Sequence, residues 1–378
     1  MNAILRSAVA FLLVATPALA DDPRPPQVAV SFLAEPAPIV QDGSTKLFYE
    51  MALTNYAPVA YVLDSVEAQA ADTRTIFDAA ALAKAFVRLG GRAPAPNRRL
   101  AGGESALVFL MADLGRAKAP GSLTHKIRFV DERGEAHEVE PAPLAVSDAS
   151  PTVVAPPLRG TWIAGDSASE APDAAHRRAV LVENGRAWIA QRFAIDFVQV
   201  ETVDGKLSTW KGPEDKNDSY FCYNQPIYSA ADGTVIAATD GMAENVPHSG
   251  THAEPIDFDN AAGNHVVVQI APHRYALYAH MRPGTVAVKA GQNVRARDLL
   301  GRVGNSGSSE EPHLHFHIDD QPSFLAGNGV PYAFTKGLES GPVEANVSSP
   351  TSVTFGAIGA QHAFTDDYPP PNALVTFE

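Results

Sequence analysis

Only one cysteine, Cys222, occurs in 378 residues, so no disulfide can form within the chain and folding rests on packed cores. A lone cysteine invites comparison with thiol hydrolases, but this one stands in "DSYFCYNQP", among aromatic residues, where a buried structural thiol is expected. Positive charge is also scarce: 29 Lys and Arg stand against 43 Asp and Glu, a net charge of −14. Such a surface gives no general attraction to nucleic acid, which is excluded as a partner. Long apolar runs are missing apart from the opening "MNAILRSAVAFLLVATPALA". There Arg6 precedes an apolar stretch too short to cross a bilayer comfortably, and Ala18-Leu19-Ala20 closes it as a cleavage site would. The expectation is a signal peptide over 1–20, a secreted or periplasmic mature protein and no membrane span after its removal. The leader holds one arginine and no acid, so the mature charge falls from −14 to −15. Repeats of fixed period, low-complexity tracts and βαβ patterns are absent as well, which argues against solenoids and parallel α/β folds.

What remains is β-strand signal. From Val28 to Val146 short alternating runs such as "KLFYEMALTN", "SALVFLMADL" and "HKIRFVDERGEAHEVE" are separated by Gly, Pro, Asp and Asn. This pattern predicts an Ig-like antiparallel β-sandwich over 21–146, interrupted by one helix in "TRTIFDAAALAKAFVRL". A Pro- and Ser-rich span, 147–161, reads as a linker or as an extended strand crossing between domains. Strand signals resume over 162–335, again antiparallel, so the fold class is all-β. The long polar stretch "TDGMAENVPHSGTHAEPIDFDNAAGN" predicts a surface loop of the kind that borders a site. In the tail, 336–378, "SVTFGAI" and "NALVTFE" look like edge strands that close the second sheet or pack on the first domain.

The chemistry concentrates in "EEPHLHFHIDD". On a strand, alternate residues share a face, so His313, His315 and His317 project the same way, either around a bound ion and its water or over a solvated sheet surface. Asp196 in "QRFAIDFVQV" lies between Ile195 and Phe197, where a carboxylate needs a cation or several donors. His280 follows the apolar strand "YALYA".

With those residues in place, 176–334 resembles the lysostaphin/LytM-type zinc metallopeptidases, Gly-Gly endopeptidases that cut peptide bonds in peptidoglycan. The resemblance rests on "PIYSAADGTVIAA", "GNHVVVQI", "YALYAHM", "VAVKAGQNVRARDLLGRVGNSG" and "PHLHFHI", in the family's order. It implies that Asp196 and His315 bind one zinc ion, while His280 and His313 flank the attacking water. The implied ligands of the protein as a whole are stem or cross-bridge peptides of peptidoglycan.

One position departs from the family. Where H-x-G-x-D is expected, the chain reads "RFAID", so Arg192 replaces the first zinc ligand and Ala194 the glycine. A guanidinium has no lone pair to offer and stays charged, so it cannot ligate zinc. Arg192 then has two courses: to pair with Asp196 and stand in for the ion's charge, or to swing clear while a substitute ligand completes the site. Glu310 and Glu311 replace small residues before the histidines, and His317 replaces a common glutamate. Either a substitute ligand, His176 in "AAHRRAV" or His317, recovers the zinc, or the site is metal-free. On residue type alone His176 reads as a surface histidine in a basic turn, and His317 as a step of about 6–7 Å too far along the strand. Loop residues Glu254, Asp257 and Asp259 are further candidates for contact with the site. Two functions follow: a metalloendopeptidase acting on peptidoglycan peptides, or a metal-free module that binds wall peptides or activates a partner cell-wall hydrolase.

Overall fold

The computed structural model describes residues 26–378, apart from 92, 204–205, 344, 350–351 and 356–358. The expected leader lies outside the described residues. Among them, strands dominate and pair almost entirely antiparallel, as the sequence pattern predicts. No helix of the described residues is long and apolar enough to cross a membrane.

Two sheets face each other in the first half. One is built around Ser44–Asn55, flanked by Val28–Phe32 and Ser105–Asp113. The other is built around Tyr61–Ala70 paired with Ser122–Asp131. In Ser122–Asp131 the residues Leu123, His125, Ile127 and Phe129 point inward and their neighbours outward, the two-residue period of a half-buried strand. They meet Leu47, Tyr49, Met51 and Leu53 of the facing sheet. Each such side chain contributes about 1.5–3 kcal/mol by leaving water.

The helix predicted across 73–89 is confined to Ala79–Ala85, with strands Thr73–Phe77 and Phe86–Arg88 on either side. Asp78 sets its start, its carboxylate accepting the N–H groups of Ala80 and Ala81. Thr73, Thr75 and Ile76 before it and Val87 after it are β-branched and favour extended backbone.

The second half is built on a ten-stranded sheet, with several two-stranded pairs beside it. Its centre runs from Arg274–Met281 through Leu314–Asp319 and Ile195–Gln199 to Gly160–Gly165, then Ala373–Phe377 and Gly337–Pro342. The tail strand read as an edge is thus interior: Ala373–Phe377 pairs on both sides. Its Ala373, Leu374, Val375 and Phe377 are all buried, the continuous apolar run that a strand covered on both faces requires. Ser352–Phe355, from "SVTFGAI", pairs instead with Ala345–Ser349 in a separate hairpin. Of the two readings of 147–161, linker or extended crossing strand, the structure shows a strand in part of it: Thr152–Val154 pairs in parallel with Tyr332–Phe334.

Candidate metal centre

Asp196 and His315 are direct cross-strand neighbours, and Ala279, the residue before His280, lies opposite His315 on the other side. Alternation sends Leu314, Phe316 and Ile318 into the hydrophobic core and leaves the histidines on the opposite face. Three elements therefore converge on Asp196. Its Oδ1 lies 2.9 Å from His315 Nδ1 and 3.4 Å from His313 Nε2. The rings of His280 and His313 are 4.8 Å apart between centroids.

Each flanking histidine has one nitrogen tied to backbone. His280 Nδ1–H donates to Ser306 O at 2.8 Å, which leaves its Nε2 as an acceptor. His313 Nδ1–H donates to Glu311 O at 2.8 Å and leaves Nε2 facing Asp196. His280 holds a left-handed φ of 63°, and its N–H donates to Ala262 O. The loop that supplies Ser306 approaches through two glycines. A Cβ on Gly263 would lie 2.5 Å from the Ser306 backbone, and one on Gly307 would lie 2.4 Å from Gly263 N.

Arg192 is not in this cluster: of the two courses open to it, it swings clear of Asp196. Its guanidinium turns into the first half of the chain and forms a two-point ion pair with Glu50, at 2.7 Å and 3.3 Å. Both residues are buried. Glu50, an inward-facing carboxylate with no solvent, is the stronger attractor because Asp196 keeps three-tenths of its side chain open to the cleft.

The vacated direction is taken by His176, which is neither exposed nor in a free turn. It sits on the short helix Ala175–Arg178, is 8% exposed, and brings Nε2 to 3.3 Å from Asp196 Oδ2. Its ring meets that of His315 edge-on at 4.8 Å. Nδ1–H donates to Asp166, 3.1 Å from the backbone oxygen and 3.3 Å from the carboxylate, so Nε2 is the atom that offers a lone pair once the ring gives up its second proton. His176, Asp196 and His315 present their ligand atoms within 4.8 Å of one another, and so do His280, His313 and His315. His317 lies beyond reach, as its strand position implies. Its Nδ1 is 3.0 Å from His315 Nε2, and its own Nε2 is buried without a partner.

Two imidazoles and a carboxylate are a donor set that suits zinc. A bound cation would displace the protons that lie between these groups. His315 Nδ1–H donates to the Asp196 carboxylate at 2.9 Å, and His315 Nε2 accepts from His317 Nδ1–H at 3.0 Å, so a bound cation would take the place of the Nδ1 proton. Burial pushes His315 down to about 4, which keeps it neutral. Burial would raise Asp196, but His176 and His313 hold it well below the usual carboxylate range. Burial likewise opposes charge on His176, yet the carboxylates of Asp196 and Asp166 carry it up to about 9. His280 is driven well below its ordinary value by burial and by the neighbouring imidazoles. On His313 burial is outweighed by Asp196, so its pKa rises.

The cluster lies in a cleft of about 720 Å³, with Phe324 packed against His280 and His315. The loop singled out in the sequence contributes Ile256, Asp257 and Phe258 to the wall. Glu254 and Asp259 do not reach the cluster: Glu254 accepts the N–H of Ala243, and Asp259 donates its own N–H to Asp257. Glu311 pairs with His248 at 3.2 Å, and Glu310 lines the rim. Cys222 donates to Pro312 O, and burial pushes its thiol up to about 12, which excludes it as a nucleophile. Asp166, Ser306 and Phe324 had no signal in the sequence. Asp166 lies ten residues before His176 in an irregular segment, and the carbonyl of Ser306 carries no side-chain signature.

Residues 218–326 match Peptidase family M23, and the chain carries a domain of that family there. His280, His313, His315 and His317 fall inside the match, whereas His176, Arg192 and Asp196 precede it. Peptidoglycan DD-endopeptidase ShyA of Vibrio cholerae is 29% identical over 106 residues, 28% of this chain and 20% of that protein. An uncharacterized metalloprotease of Haemophilus influenzae is 34% identical over 95 residues, 24% of this chain and 18% of that protein. The chain thus spans about a fifth of the length of the curated relatives it matches. Among solved structures, the catalytic domain of lysostaphin from Staphylococcus simulans aligns over 45% of this chain and 88% of its own, at 17% identity and a TM-score of 0.24.

Proposed function

We propose that this protein is a zinc metalloendopeptidase that acts on peptidoglycan peptides outside the cytoplasm, with His176, Asp196 and His315 as the metal-binding residues. The observation that carries the reading is His176 Nε2 at 3.3 Å from Asp196, which replaces the imidazole lost at Arg192. When bound, zinc polarises the scissile carbonyl and acidifies the attacking water.

The chain's own residues handle the protons. His280, neutral and held through Nδ1 by Ser306 O, offers Nε2 as the general base for the water. His313, whose proton Asp196 favours, delivers it from Nε2 to the departing amine. As a cation, His313 also stabilises negative charge developing on the carbonyl oxygen. Asp257, Ile256 and Phe258 on one wall and Phe324 on the other exclude water around an extended peptide. The family match and the likeness to ShyA support peptidoglycan peptides as the substrate class. The leader-like opening segment supports a secreted or periplasmic site of action.

The test is metal content and release of soluble fragments from purified peptidoglycan, for the wild type and for Asp196→Ala and His313→Ala. The reading expects near one zinc per chain, lost in Asp196→Ala and kept in His313→Ala, with turnover lost in both. Sub-stoichiometric zinc after incubation with the metal, together with no turnover, would overturn it in favour of a metal-free module that binds wall peptides or activates a partner hydrolase.

A further inference from the structure

The helix that presents His176 is four residues long and cannot be stable by itself, since helices much shorter than about 12–15 residues are marginal in water. Its N-cap position is Ala174, which offers no side-chain cap, and the exposed N–H groups of Ala175 and His176 are taken by the Asp166 carboxylate. Something else must hold this turn against the sheet.

The next residue shows what does. His176 leaves the turn toward the cleft, whereas Arg177 leaves it toward the first half of the chain and is 1% exposed. Its guanidinium donates to Leu110 O and to Ser169 O, and it stacks over the rings of Phe48 at 4.8 Å and Phe109 at 5.8 Å. Glu50 Oε1 lies 4.0 Å from its Nε. Arg178 adds a second tie, donating to Lys84 O at 2.9 Å and covering Phe109 at 4.8 Å. Leu110, Phe48, Phe109, Glu50 and Lys84 all belong to the first half.

The same carboxylate reaches the other ligand-bearing segment. Glu50 grips Arg192, four residues before Asp196 and just before the strand Ile195–Gln199. One buried carboxylate on the sandwich therefore braces both segments that carry the metal-binding residues His176 and Asp196.

We infer that the N-terminal sandwich is a working part of the metal centre, with Glu50 and Arg177 as positioning residues that hold His176 in ligating geometry. The inference rests on His176 being a ligand. Loss of a group hydrogen-bonded directly to a ligating histidine typically costs about 10–100-fold in metal affinity, and loss of the residues that place the histidine itself is expected on the same order.

The experiment titrates zinc against a chelator of known affinity in the full chain, beside cobalt substitution read by its visible spectrum, for the wild type, His176→Ala, Glu50→Gln and Arg177→Met. Thermal melts accompany each variant. The expected result is a zinc affinity lowered about 10–100-fold in Glu50→Gln and Arg177→Met. Their cobalt spectra should move toward that of His176→Ala, while most of each variant stays folded at the measuring temperature. Should Arg177→Met fail to fold, Phe109→Ala, which removes the ring beneath both arginines, takes its place with the same expectation. If His176→Ala itself leaves affinity and spectrum unchanged, the ligand set proposed above falls, and this inference with it. If His176→Ala weakens zinc but the folded Glu50→Gln and its companion variant bind within twofold of wild type with unaltered spectra, the ligand set stands and the positioning role is overturned.

Discussion

Among the described residues, the sandwich half buries few polar groups: Gln41, Glu50, Asn55 and His125. The sheet half buries many more, including His176, Arg177, Arg192, Asn264, His280, Asn305, Ser306, His313, His315, His317 and Asp319. In the first half, Asn55 bonds within its own turn and His125 meets Tyr49, so those polar groups serve the local fold. In the second, they converge on one cleft and on the seam with the sandwich. Buried polar groups cost stability unless fully partnered, so their crowding marks where the fold depends on partnered polar groups rather than on apolar packing. Glu50 and Gln41 are the instructive exceptions: Glu50 belongs to the sandwich by sequence but pairs with Arg177 and Arg192, and Gln41 Nε2 donates to Ala168 O of the second half.

The sharpest break of this comparison comes from the cleft. His313→Ala is expected to lower peptide hydrolysis by about 10²–10⁴-fold with the fold intact, because a positioned proton donor contributes on that order. Kinetics on a soluble peptide, with a melt as control, would measure it; activity within a few-fold of wild type would place the proton chemistry elsewhere. The seam comes next. Arg192→Met leaves Glu50 buried with its closest partner gone and should destabilise the protein by about 3–5 kcal/mol in a urea titration. Less than 1 kcal/mol would mean that Arg177 alone satisfies Glu50.

Inside the sandwich the comparison sharpens through pH. Burial holds His125 down at about 4, against an ordinary value near 6.5. The unfolded chain therefore takes up a proton at this residue before the folded one does. The stability that neutral His125 confers is present above about pH 6.5 and is lost as pH falls toward 4, by roughly 3 kcal/mol at most. The difference in unfolding free energy between wild type and His125→Gln should shrink over that window, and a pH-independent difference would contradict it. The smallest effect is at the first helix: Asp78→Ala removes a cap that accepts two N–H groups and should cost about 1 kcal/mol. Urea unfolding would read this change, and no effect on zinc content is expected.

Much of this was legible because it is local. Alternation predicts the sandwich strands, and His313, His315 and His317 share a face by period alone. Asp196 between two apolar residues signals a carboxylate with special partners. The misreadings have one cause. Arg192 and His176 carry no local sign of which way they turn, since one is answered by Glu50 from 142 residues away and the other by Asp166 and Asp196 across an irregular segment. The strand Ala373–Phe377 looks like an edge only because nothing in the sequence tells which strands will flank it.

By itself, then, the sequence determined the all-β class, the face on which the histidines lie and the buried thiol, because each depends on side-chain type or a period of two residues, whereas the departure at Arg192 is legible only against the resemblance to the lysostaphin/LytM-type motif. Only the tertiary structure decided that Arg192 leaves the cleft, that His176 enters it and that the sandwich grips both segments. Those outcomes depend on which buried charge lies within a few ångströms of which other, and chain separation carries no information about that.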